Sequence, residues 1–253
     1  MGLSFLFGGM SADFGELSGV FVAAAGGAAA RIALLVGRHE AGERDLPRFQ
    51  EAWQRLGPRI DPVAPEPGDQ TLSPAALRTI AGSTGIFVCG GDTRLYHHLY
   101  AVGPGRAAIL KRIAAGAPYA GSSAGALIAT EAALVWGDRV RRDGQVLYVG
   151  GAEGPCEADV DIQPGLALVP RAIMEAHFTA QGGFPRLLAA LDASGMRYGL
   201  GVDDGICLEI RDGTALRVRG SGRLYMLERT DSGQVVARAL LPGSAEDLHR
   251  PRN

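Results

Sequence analysis

The sequence predicts an α/β fold in which a mostly parallel sheet carries helices on both faces and is followed by a C-terminal antiparallel β extension. Two near-continuous apolar runs, Ala30–Val36 and Gly85–Cys89, are typical of strands that are covered on both faces. Segments with apolar residues at helical spacing separate such runs, and this alternation indicates βαβ units with parallel strands. Over residues 211–245, short β segments joined by turns replace the alternation. We therefore expect one α/β domain over residues 1–253.

The first half of the chain predicts its elements in a regular order. Leu3–Phe7 is a short strand that ends in a Gly-Gly pair, and Phe14–Ala25 has the apolar spacing of a helix. After the strand Ala30–Val36, the pattern predicts a helix at Asp45–Leu56, a short strand ending at Val63 and a Pro/Gly loop at residues 65–68. A helix at Pro74–Ala81, the strand Gly85–Cys89 and two helices at Thr93–Val102 and Arg106–Ala115 follow.

The second half of the chain has shorter and more strand-like elements. Val135–Val149 is strand-like and interrupted by glycines, and we expect it, with the C-terminal β run, to form either a homodimer interface or loops that cover the site. Asp-Gly and Ser-Gly turns join the later β segments. The predicted elements are a short apolar piece at Gly165–Val169, a strand at Ala172–Phe178, a helix at Gly183–Ala193 and β segments at Gly199–Arg211, Thr214–Val218, Leu224–Glu228 and Val235–Leu241.

Composition and charge narrow the class of protein. The formal net charge is −2, the isoelectric point is near 6.2, and the basic residues are scattered, so neither a nucleic-acid nor a membrane partner is expected. Cys89, Cys156 and Cys207 have no paired spacing and no adjacent histidine, which argues for a reducing compartment and against a disulfide framework or a zinc site. No export signal and no long apolar run is visible. We therefore expect a soluble, cytoplasmic protein with no metal and no cofactor.

The most informative local pattern is the G-x-S-x-G sequence at Gly121–Gly125, with Ser123 at its centre. A helix-like segment breaks at Gly116–Pro118, a short apolar run enters the motif, and small residues follow it. A strand that turns sharply into a helix exposes a serine hydroxyl on a strained elbow, and N–H groups at the helix start can stabilise an oxyanion. A Gly-Ser turn without chemistry is the alternative. The context favours Ser123 as a nucleophile.

A second glycine-rich segment, Gly90–Thr93, follows a buried strand. Ligands of open α/β sheets bind at the carboxyl ends of strands, where paired glycines let the backbone approach a substrate. The N–H groups of Ala124 and Gly91 are the predicted oxyanion donors. Asp92 and Thr93 are predicted to bind substrate, although either is also a good helix N-cap.

A serine nucleophile needs a base, and the chain has five histidines. His177 is the preferred base because it ends a predicted strand and precedes a polar, glycine-rich loop. The other histidines fit less well: His97 and His98 lie on a helix among apolar and aromatic residues, His39 in a polar segment that could reach a cleft, and His249 in the C-terminal tail.

The base in turn needs an orienting acid, and Asp203 and Asp204 supply two candidates at the end of a strand. Side chains alternate along a strand, so only one of the two carboxylates is expected to face the cleft. An Asp-Asp-Gly turn without a role in the site is the alternative.

Together these motifs resemble the serine peptidases typified by aspartyl dipeptidase (peptidase E) and cyanophycinase. The resemblance covers roughly residues 4–210 and rests on Phe7-Gly8-Gly9, Ala30–Ala33, Gly90–Thr93, Gly121–Ala126, His177-Phe178 with Arg186-Leu187, and Gly201–Asp204. It implies a fold similar to class I glutamine amidotransferases, with a flavodoxin-like core. It also implies a triad with Ser123 as nucleophile, His177 as general base and Asp204 as orienting acid.

Departures from the family pattern bear on the substrate. Asp204 is one methylene shorter than the glutamate of the family. Cyanophycinases have Asp-Gln before the His-Phe pair, where this chain has Glu175-Ala176. They have several arginines after the pair, where residues 179–183 of this chain are Thr-Ala-Gln-Gly-Gly, and they have Gln after Gly-Gly-Asp, where this chain has Thr93. The arginines that hold an Arg-decorated polymer are mostly absent, so a short peptide is the expected substrate.

Two opposite charges are predicted to bind the ends of that peptide. Glu175 shares a strand face with His177 and is expected to bind an ammonium group. Arg186 or Arg94 would instead hold a carboxylate. The first arrangement favours aminopeptidase-like or dipeptidase action, and the second favours carboxypeptidase-type or aspartyl-peptide cleavage.

The leading interpretation is therefore a serine exopeptidase that hydrolyses short peptides. The nearest alternative is an α/β-hydrolase esterase that uses Ser123, an aspartate at 203 or 204, and His249, although the sequence has no His-Gly-Gly-Gly oxyanion loop. A third is a non-catalytic amidotransferase-fold protein that binds a ligand without turnover.

Overall fold

The computed structural model describes residues 2–66, 69–150 and 156–249, with residues 39–43 described as backbone alone. The predicted loop residues Pro67 and Gly68 lie outside this part of the chain. The strands are β1 (Leu3–Phe7), β2 (Arg31–Leu35), β3 (Arg59–Val63), β4 (Gly85–Val88), β5 (Tyr119–Ser122), β6 (Thr130–Trp136), β7 (Arg139–Arg142), β8 (Gln145–Tyr148), β9 (Asp161–Pro164), β10 (Val169–Ala176), β11 (Tyr198–Val202), β12 (Ile206–Arg211), β13 (Ala215–Gly220), β14 (Leu224–Arg229), β15 (Val235–Leu240) and β16 (Ala245–Asp247).

The helices alternate with the strands of the first half of the chain. They are α1 (Phe14–Ala24), α2 (His39–Ala52), α3 (Pro74–Gly82), α4 (Thr93–Tyr96) with a π-helical turn at His97–Ala101, α5 (Gly103–Ala114), α6 (Ala124–Leu127) and α7 (Phe184–Ser194). Among the described residues, no helix combines the length and the apolar character that a bilayer crossing requires.

Eight strands form one mixed sheet in the order β16-β13-β12-β1-β5-β4-β2-β3. The strands from β1 to β3 in that order run parallel, and β12, β13 and β16 are antiparallel to their neighbours. Phe87 of β4 packs on α1 and α2, whereas its neighbour Val88 lies against Gly125 of α6. Because successive side chains of a strand point to opposite faces, the sheet carries helices on both faces, as predicted.

The core on the first of these faces is an aromatic cluster around Phe87. Its ring centroid lies 4.9–5.9 Å from those of five other rings, Phe7, Phe14, Phe21, Phe49 and Trp53. The indole N–H of Trp53 donates to Ser18 Oγ at 2.8 Å, so the one polar atom of this ring is satisfied. The cluster fixes α1 and α2 to β4, whose carboxyl end leads into Gly90 and Gly91.

A second mixed sheet has the order β15-β14-β11-β10-β6-β9. Its central strands β6, β10 and β11 run parallel, and β9, β14 and β15 are antiparallel to their neighbours. Helix α7 packs on β10 and β11, where Gly199 leaves room for Leu187. The carboxyl ends of β5 and β10, in different sheets, meet at the candidate site.

Several predicted boundaries differ from the structure. Helix α2 begins at His39 and ends at Ala52, so Pro47 lies inside it and not near its start. A proline can occupy a helix interior when the loss of one i→i−4 hydrogen bond is tolerated. Strand β6 begins at Thr130, and the Gly165–Val169 piece is mostly the connection between β9 and β10.

The prediction of one β segment over Gly199–Arg211 is wrong. Strand β11 belongs to the six-stranded sheet and β12 to the eight-stranded sheet, and the turn Asp203–Gly205 leads from one to the other. The C-terminal extension is antiparallel, as predicted, but its strands are divided between both sheets. Apolar alternation along a strand predicts which face is buried, and it carries no information about the sheet that the strand joins.

Candidate active site

Ser123 occupies a strained turn between β5 and α6. Its φ of 51° and ψ of −118° are uncommon for a residue with a side chain, and such conformations cost on the order of 1–3 kcal/mol. The Ser123 N–H donates to the Phe7 carbonyl at 3.0 Å. A Cβ on Gly121 would lie 2.8 Å from the nitrogen of Ala126, and one on Gly125 would overlap the backbone of β4. The motif glycines are therefore needed for close backbone approach, and the turn holds the Ser123 hydroxyl at the strand end.

His177 lies within hydrogen-bond distance of both Ser123 and Asp204. It directly follows β10; its Nε2 is 3.0 Å from Ser123 Oγ, and its Nδ1 is 2.6 Å from Asp204 Oδ1. Since a carboxylate only accepts hydrogen bonds, Nδ1–H donates to Asp204, which leaves Nε2 as the acceptor for the serine hydroxyl. The fold thus brings together the three residues that the sequence analysis grouped as nucleophile, base and acid.

The two neighbouring aspartates have different partners. Asp204 contacts the His177 imidazole, whereas Asp203 Oδ1 accepts a hydrogen bond from the Thr179 N–H at 3.0 Å. Both follow the end of β11 and lie in the turn before β12, so strand alternation does not decide which one faces the site. Asp203 instead holds the segment just after His177.

Gly8 and Gly9 run close to this turn at the end of β1. A Cβ on Gly8 would lie 2.5 Å from the Val202 carbonyl oxygen, and Gly9 is part of the cavity wall. In the sequence these glycines indicate the end of a strand and contribute to the family resemblance, but neither was assigned to the site. A run of two glycines directly after a buried strand was the available signal for a close approach to the site.

The predicted oxyanion donors flank Ser123. Ala124 follows it in the chain, and a Cβ on Gly90 would lie 3.0 Å from Ser123 Cβ, which puts the Gly90–Gly91 segment beside the serine. Within the described ranges, the N–H groups of Gly91 and Ala124 donate to no backbone carbonyl. Helix α6 is one turn long, so individual N–H groups, and not a long-helix dipole, are what the site offers to an oxyanion.

Asp92 caps α4, in agreement with the alternative interpretation of this residue. Its Oδ1 accepts from the Arg94 N–H at 3.0 Å, and Arg94 Nη2 donates to Oδ2 at 2.9 Å. These hydrogen bonds hold the pKa of the Asp92 carboxyl below its ordinary value. The Arg94 guanidinium also lies 3.7 Å from the ring centroid of Trp136. Asp92 and Thr93 both line the cavity, so their contact with substrate stays a prediction.

Glu175 and Arg186 form a buried ion pair with each other. Arg186 Nη1 donates to Glu175 Oε2 at 2.6 Å, and the two side chains are only 4% and 6% exposed. Burial raises the pKa of Glu175, and the neighbouring Arg186 charge opposes this effect. While the pair is intact, each charge is neutralised by the other. Binding of a peptide end by either residue stays a prediction that requires the pair to open.

A cavity of about 550 Å³ opens beside Ser123 and His177. Its volume lies within the roughly 300–1,000 Å³ typical of small-molecule sites. Seven of the predicted site residues line it: Gly91, Asp92, Thr93, Ser123, Glu175, His177 and Arg186. Its wall also contains residues that the sequence analysis did not select, among them Met10, Arg44, Asp45, Arg48, Trp136, Cys156 and Gln181.

Helix α2 contributes residues to the cavity wall that were not predicted from the sequence. Arg44 binds Asp45 through two hydrogen bonds of 2.8 and 3.0 Å. Arg48 is exposed on the cavity wall and, among the described residues, has no hydrogen-bond or ion-pair partner. Charged residues in a predicted surface helix are usually solvated, so their spacing alone did not single them out.

The remaining histidines do not join this arrangement in the described structure. His97 Nε2 lies 2.9 Å from the Pro164 carbonyl oxygen, which fits a structural role, and the side chain of His39 lies outside the described residues. His249 follows β16, which stands four strands away from β5 in the sheet order. At about 4.8 Å per strand, that separation is roughly 19 Å. His249 is therefore not positioned to serve Ser123.

Among the described residues, no three His, Cys, Asp or Glu side chains form a group that could hold a metal ion. Cys89 and Cys207 are free and buried, as their apolar surroundings predict. Burial raises the pKa of the Cys89 thiol well above its ordinary value, so this cavity-wall thiol is neutral.

Solved structures of two peptidases share this architecture. A peptidase from an acI-B1 actinobacterium aligns with a TM-score of 0.75 at 17% identity, covering 98% of this chain and 97% of that one. A putative peptidase E protein from Listeria monocytogenes EGD-e aligns with a TM-score of 0.52 at 15% identity, covering 95% of this chain and 100% of that one. At these identities the likeness shows the fold: an α/β sheet with helices and a second mixed sheet.

Comparison with related sequences identifies the family of this chain. A cyanophycinase from Trichormus variabilis is 27% identical over 164 residues, which are 64% of this chain and 51% of the relative. One from Geminocystis herdmanii is 30% identical over 162 residues, which are 61% and 54%. The chain thus spans about half the length of these curated relatives. The model of peptidase family S51 matches residues 46–218, which is more than half of the chain. The chain therefore belongs to peptidase family S51, a family of serine peptidases.

Proposed function

We propose that this chain, as one domain over residues 1–253, is a serine exopeptidase that hydrolyses short peptides through an acyl-enzyme on Ser123. The observation that carries the proposal is the continuous hydrogen-bonded series from Ser123 Oγ through His177 to Asp204 at the edge of a cavity. A nucleophile, a base within reach and an acid that orients the base are the parts that acyl transfer needs.

In the proposed reaction, His177 Nε2 takes the hydroxyl proton while Ser123 Oγ attacks the carbonyl carbon of the peptide bond. The oxyanion that forms accepts hydrogen bonds from the N–H groups of Gly91 and Ala124. The C–N bond then breaks, His177 gives its proton to the leaving amine, and the acyl group stays on Oγ. Water next gives a proton to His177 and attacks the acyl carbon, and cleavage of the acyl–Oγ bond returns the proton to Ser123.

The charges on the cavity wall support a substrate with a free carboxyl group. Most of them are neutralised within the protein, as the pairs Arg44–Asp45 and Glu175–Arg186 show. Arg48 is the wall cation without a described partner, and it fits a substrate carboxylate. Gln181 Oε1 is buried without a described hydrogen-bond partner and can accept from a substrate N–H. This assignment replaces Arg186 as the first choice for a carboxylate.

The curated relatives are cyanophycinases, but a short peptide suits this chain better than a polymer. The segment after His177 lacks the arginines that the family resemblance associates with an Arg-decorated substrate. The cavity also has room for a small ligand. The substrate class is therefore proposed from the wall residues of this chain, and not from the names of its relatives.

We also propose a homodimer whose interface includes the hairpin of β7 and β8. The hairpin of β7 and β8 exposes Val146, Leu147 and Tyr148, which are 40–58% exposed. Sedimentation of the purified chain over a range of concentrations tests it, with Tyr148→Ser as the variant that should weaken association.

Turnover of peptides tests the proposed function directly. Dipeptides, tripeptides and peptides blocked at either end are incubated with the wild type and with Ser123→Ala, and products are identified by mass spectrometry. Cleavage by the wild type that is lost in Ser123→Ala supports the proposal, and the blocked peptides show which end is recognised. Ligand binding by folded protein without any cleavage would instead favour the non-catalytic alternative, and cleavage of simple esters alone would favour an esterase.

A further inference from the structure

The buried ion pair of Glu175 and Arg186 closes the base of the loop that carries His177. We call residues 177–183 the His177 loop. Glu175 stands near the end of β10, just before the loop, and Arg186 stands in the first turn of α7, just after it. Their contact of 2.6 Å therefore joins the two chain segments from which the loop emerges.

The His177 loop is strained and lies directly on the Glu175 side chain. His177 has a φ of 49°, a conformation that persists only where surrounding contacts enforce it. Within the loop, the Gln181 N–H donates to the His177 carbonyl at 2.9 Å, and a Cβ on Gly183 would lie 2.8 Å from Glu175 Cγ. The loop backbone therefore rests on Glu175, whose own position depends on Arg186.

Arg186 also connects the loop to a third element. Its Nε donates to the Gly137 carbonyl at 2.7 Å, in the turn between β6 and β7. Gly137 has a φ of 95°, and a Cβ there would lie 2.5 Å from Val160 Cα, so this turn has one packed arrangement. Trp136, next to it, lines the cavity. One guanidinium thus ties β10, α7 and the cavity wall together.

A buried ion pair is weak evidence of a gain in net stability. The desolvation of two buried charges opposes their attraction, and apolar replacements of similar volume are often equally stable or more so. What directional hydrogen bonds add is a defined geometry, because each donor and acceptor must meet at a specific distance and angle.

We propose that the Glu175–Arg186 pair is a positioning device that holds the His177 loop, so that His177 Nε2 stays within hydrogen-bond distance of Ser123 Oγ. The inference rests on the proposed function, since it assigns the pair to the serine–histidine contact. The alternative is that Glu175 or Arg186 binds a charge of the substrate directly. Loss of positioning would slow the reaction of Ser123 with a reagent that contains no peptide, whereas loss of direct substrate binding would not.

The test measures the rate at which a small, neutral fluorophosphonate labels Ser123, together with kcat and KM for a cleaved peptide. Glu175→Gln keeps the shape of the side chain and removes its charge. We expect labelling and kcat to fall together by about 10- to 100-fold, with KM changed little, because misplacement by about an ångström has costs of this size. A raised KM with wild-type labelling would overturn the proposal, since it would show direct substrate binding.

NMR of the imidazole nitrogens provides a readout that needs no turnover. In the wild type we expect the Nε2 chemical shift of an imidazole nitrogen that accepts a hydrogen bond from the Ser123 hydroxyl, and in Glu175→Gln a change toward the shift of an imidazole nitrogen without this hydrogen bond. An unchanged Nε2 shift would contradict positioning. If the wild type neither labels nor cleaves any peptide, the proposed function fails, while the NMR comparison still decides whether the pair holds the imidazole.

Two further variants separate positioning from folding. Glu209→Gln is the matched control because Glu209 is also buried and paired with arginines, but lies outside the cavity wall; its labelling rate should equal that of the wild type. If Glu175→Gln does not fold, the double variant Glu175→Met with Arg186→Met removes both charges and is expected to fold. Slow labelling by the folded double variant supports the proposal, and a wild-type rate refutes it.

Discussion

Gly9 lies against the Asp204 carboxylate with no room for a side chain between them. A Cβ on Gly9 would overlap Asp204 Oδ1, and it would also come within 2.6 Å of His177 Cε1 and 2.8 Å of His177 Nδ1. The hydrogen bond between His177 and Asp204 is therefore possible in its present geometry only because position 9 has no Cβ. Gly9, which follows β1 and is far from Ser123 in the sequence, therefore shapes the contact between His177 and Asp204.

Replacement of Gly9 by alanine is expected to push the imidazole and the carboxylate apart. We expect Gly9→Ala to lower kcat by about 10²-fold, because small displacements of reacting groups have effects of this size, with a smaller change in KM. Steady-state kinetics on a cleaved peptide measure both constants. Gly82→Ala, at a helical glycine with open space around it, is the matched control and should keep full activity. Wild-type kcat in Gly9→Ala would show that the triad tolerates the displacement.

The two aspartates of the turn are expected to differ in effect. Asp204→Asn removes the acceptor that keeps the proton on His177 Nδ1, and a change of this kind costs up to about 10⁴-fold in kcat. Asp203→Asn retains an oxygen that can accept from the Thr179 N–H, so we expect a change of less than about tenfold. The ratio of the two kcat values is the measurement. Greater loss in Asp203→Asn would assign the orienting role to Asp203.

Arg48 is expected to contribute to substrate binding and not to chemistry. If it holds a substrate carboxylate, Arg48→Gln should raise KM by about tenfold or more, the size expected for a hydrogen bond to a charged group, and leave kcat nearly unchanged. The effect should vanish with peptides whose carboxyl groups are amidated. Arg55→Gln, a charge-matched change at an exposed arginine outside the cavity wall, serves as control. An equal rise in KM for amidated peptides would place the carboxylate elsewhere.

The stability of the protein is expected to depend on pH through Glu209. Burial raises the pKa of Glu209, but hydrogen bonds and charges from Arg219 and Arg211 outweigh it and hold the pKa below the ordinary value of 4.5. Above that value the carboxylate is ionised in both states, and its stabilisation is complete. As pH falls further, the unfolded chain takes up the proton first, and the stabilisation is lost as the pH passes through the lower pKa of the folded protein.

Glu209→Gln tests this dependence. At neutral pH we expect the variant to be less stable by about 1–3 kcal/mol, because two arginines lose their charged partner. The difference in the free energy of unfolding should shrink as the pH falls below 4.5. Urea unfolding at several pH values measures it for both proteins. A difference that stays constant down to acidic pH would mean that Glu209 does not titrate as its arginine partners predict.

Much of the fold was predictable because its signals are local. The apolar runs Ala30–Val36 and Gly85–Cys89 each contain a buried parallel strand, because a strand that is covered on both faces needs continuous apolar sequence. The predicted start of α2, Asp45, is six residues later than the observed start, His39. Pro47 is more typical of the first turn of a helix than of its interior. Of the two cavity-wall arginines on this helix, Arg44 lies in the part that was missed, whereas Arg48 lies within the predicted helix and was not singled out because charged residues of a surface helix are usually solvated.

The amino-acid sequence alone was enough to select the side chains to which we assign the chemistry. The positions of Ser123 at a strand-to-helix turn and of His177 at a strand end could be predicted from short motifs, because turn glycines and changes from strand to helix are visible within a few residues of sequence. The residues alone left the choice between Asp203 and Asp204 open, and the family resemblance implied Asp204. The tertiary structure puts Asp204 beside the imidazole, and it alone showed that Glu175 pairs with Arg186. Such pairings depend on which strands become neighbours across two sheets, and that outcome is set by packing over the whole chain and not by any local pattern.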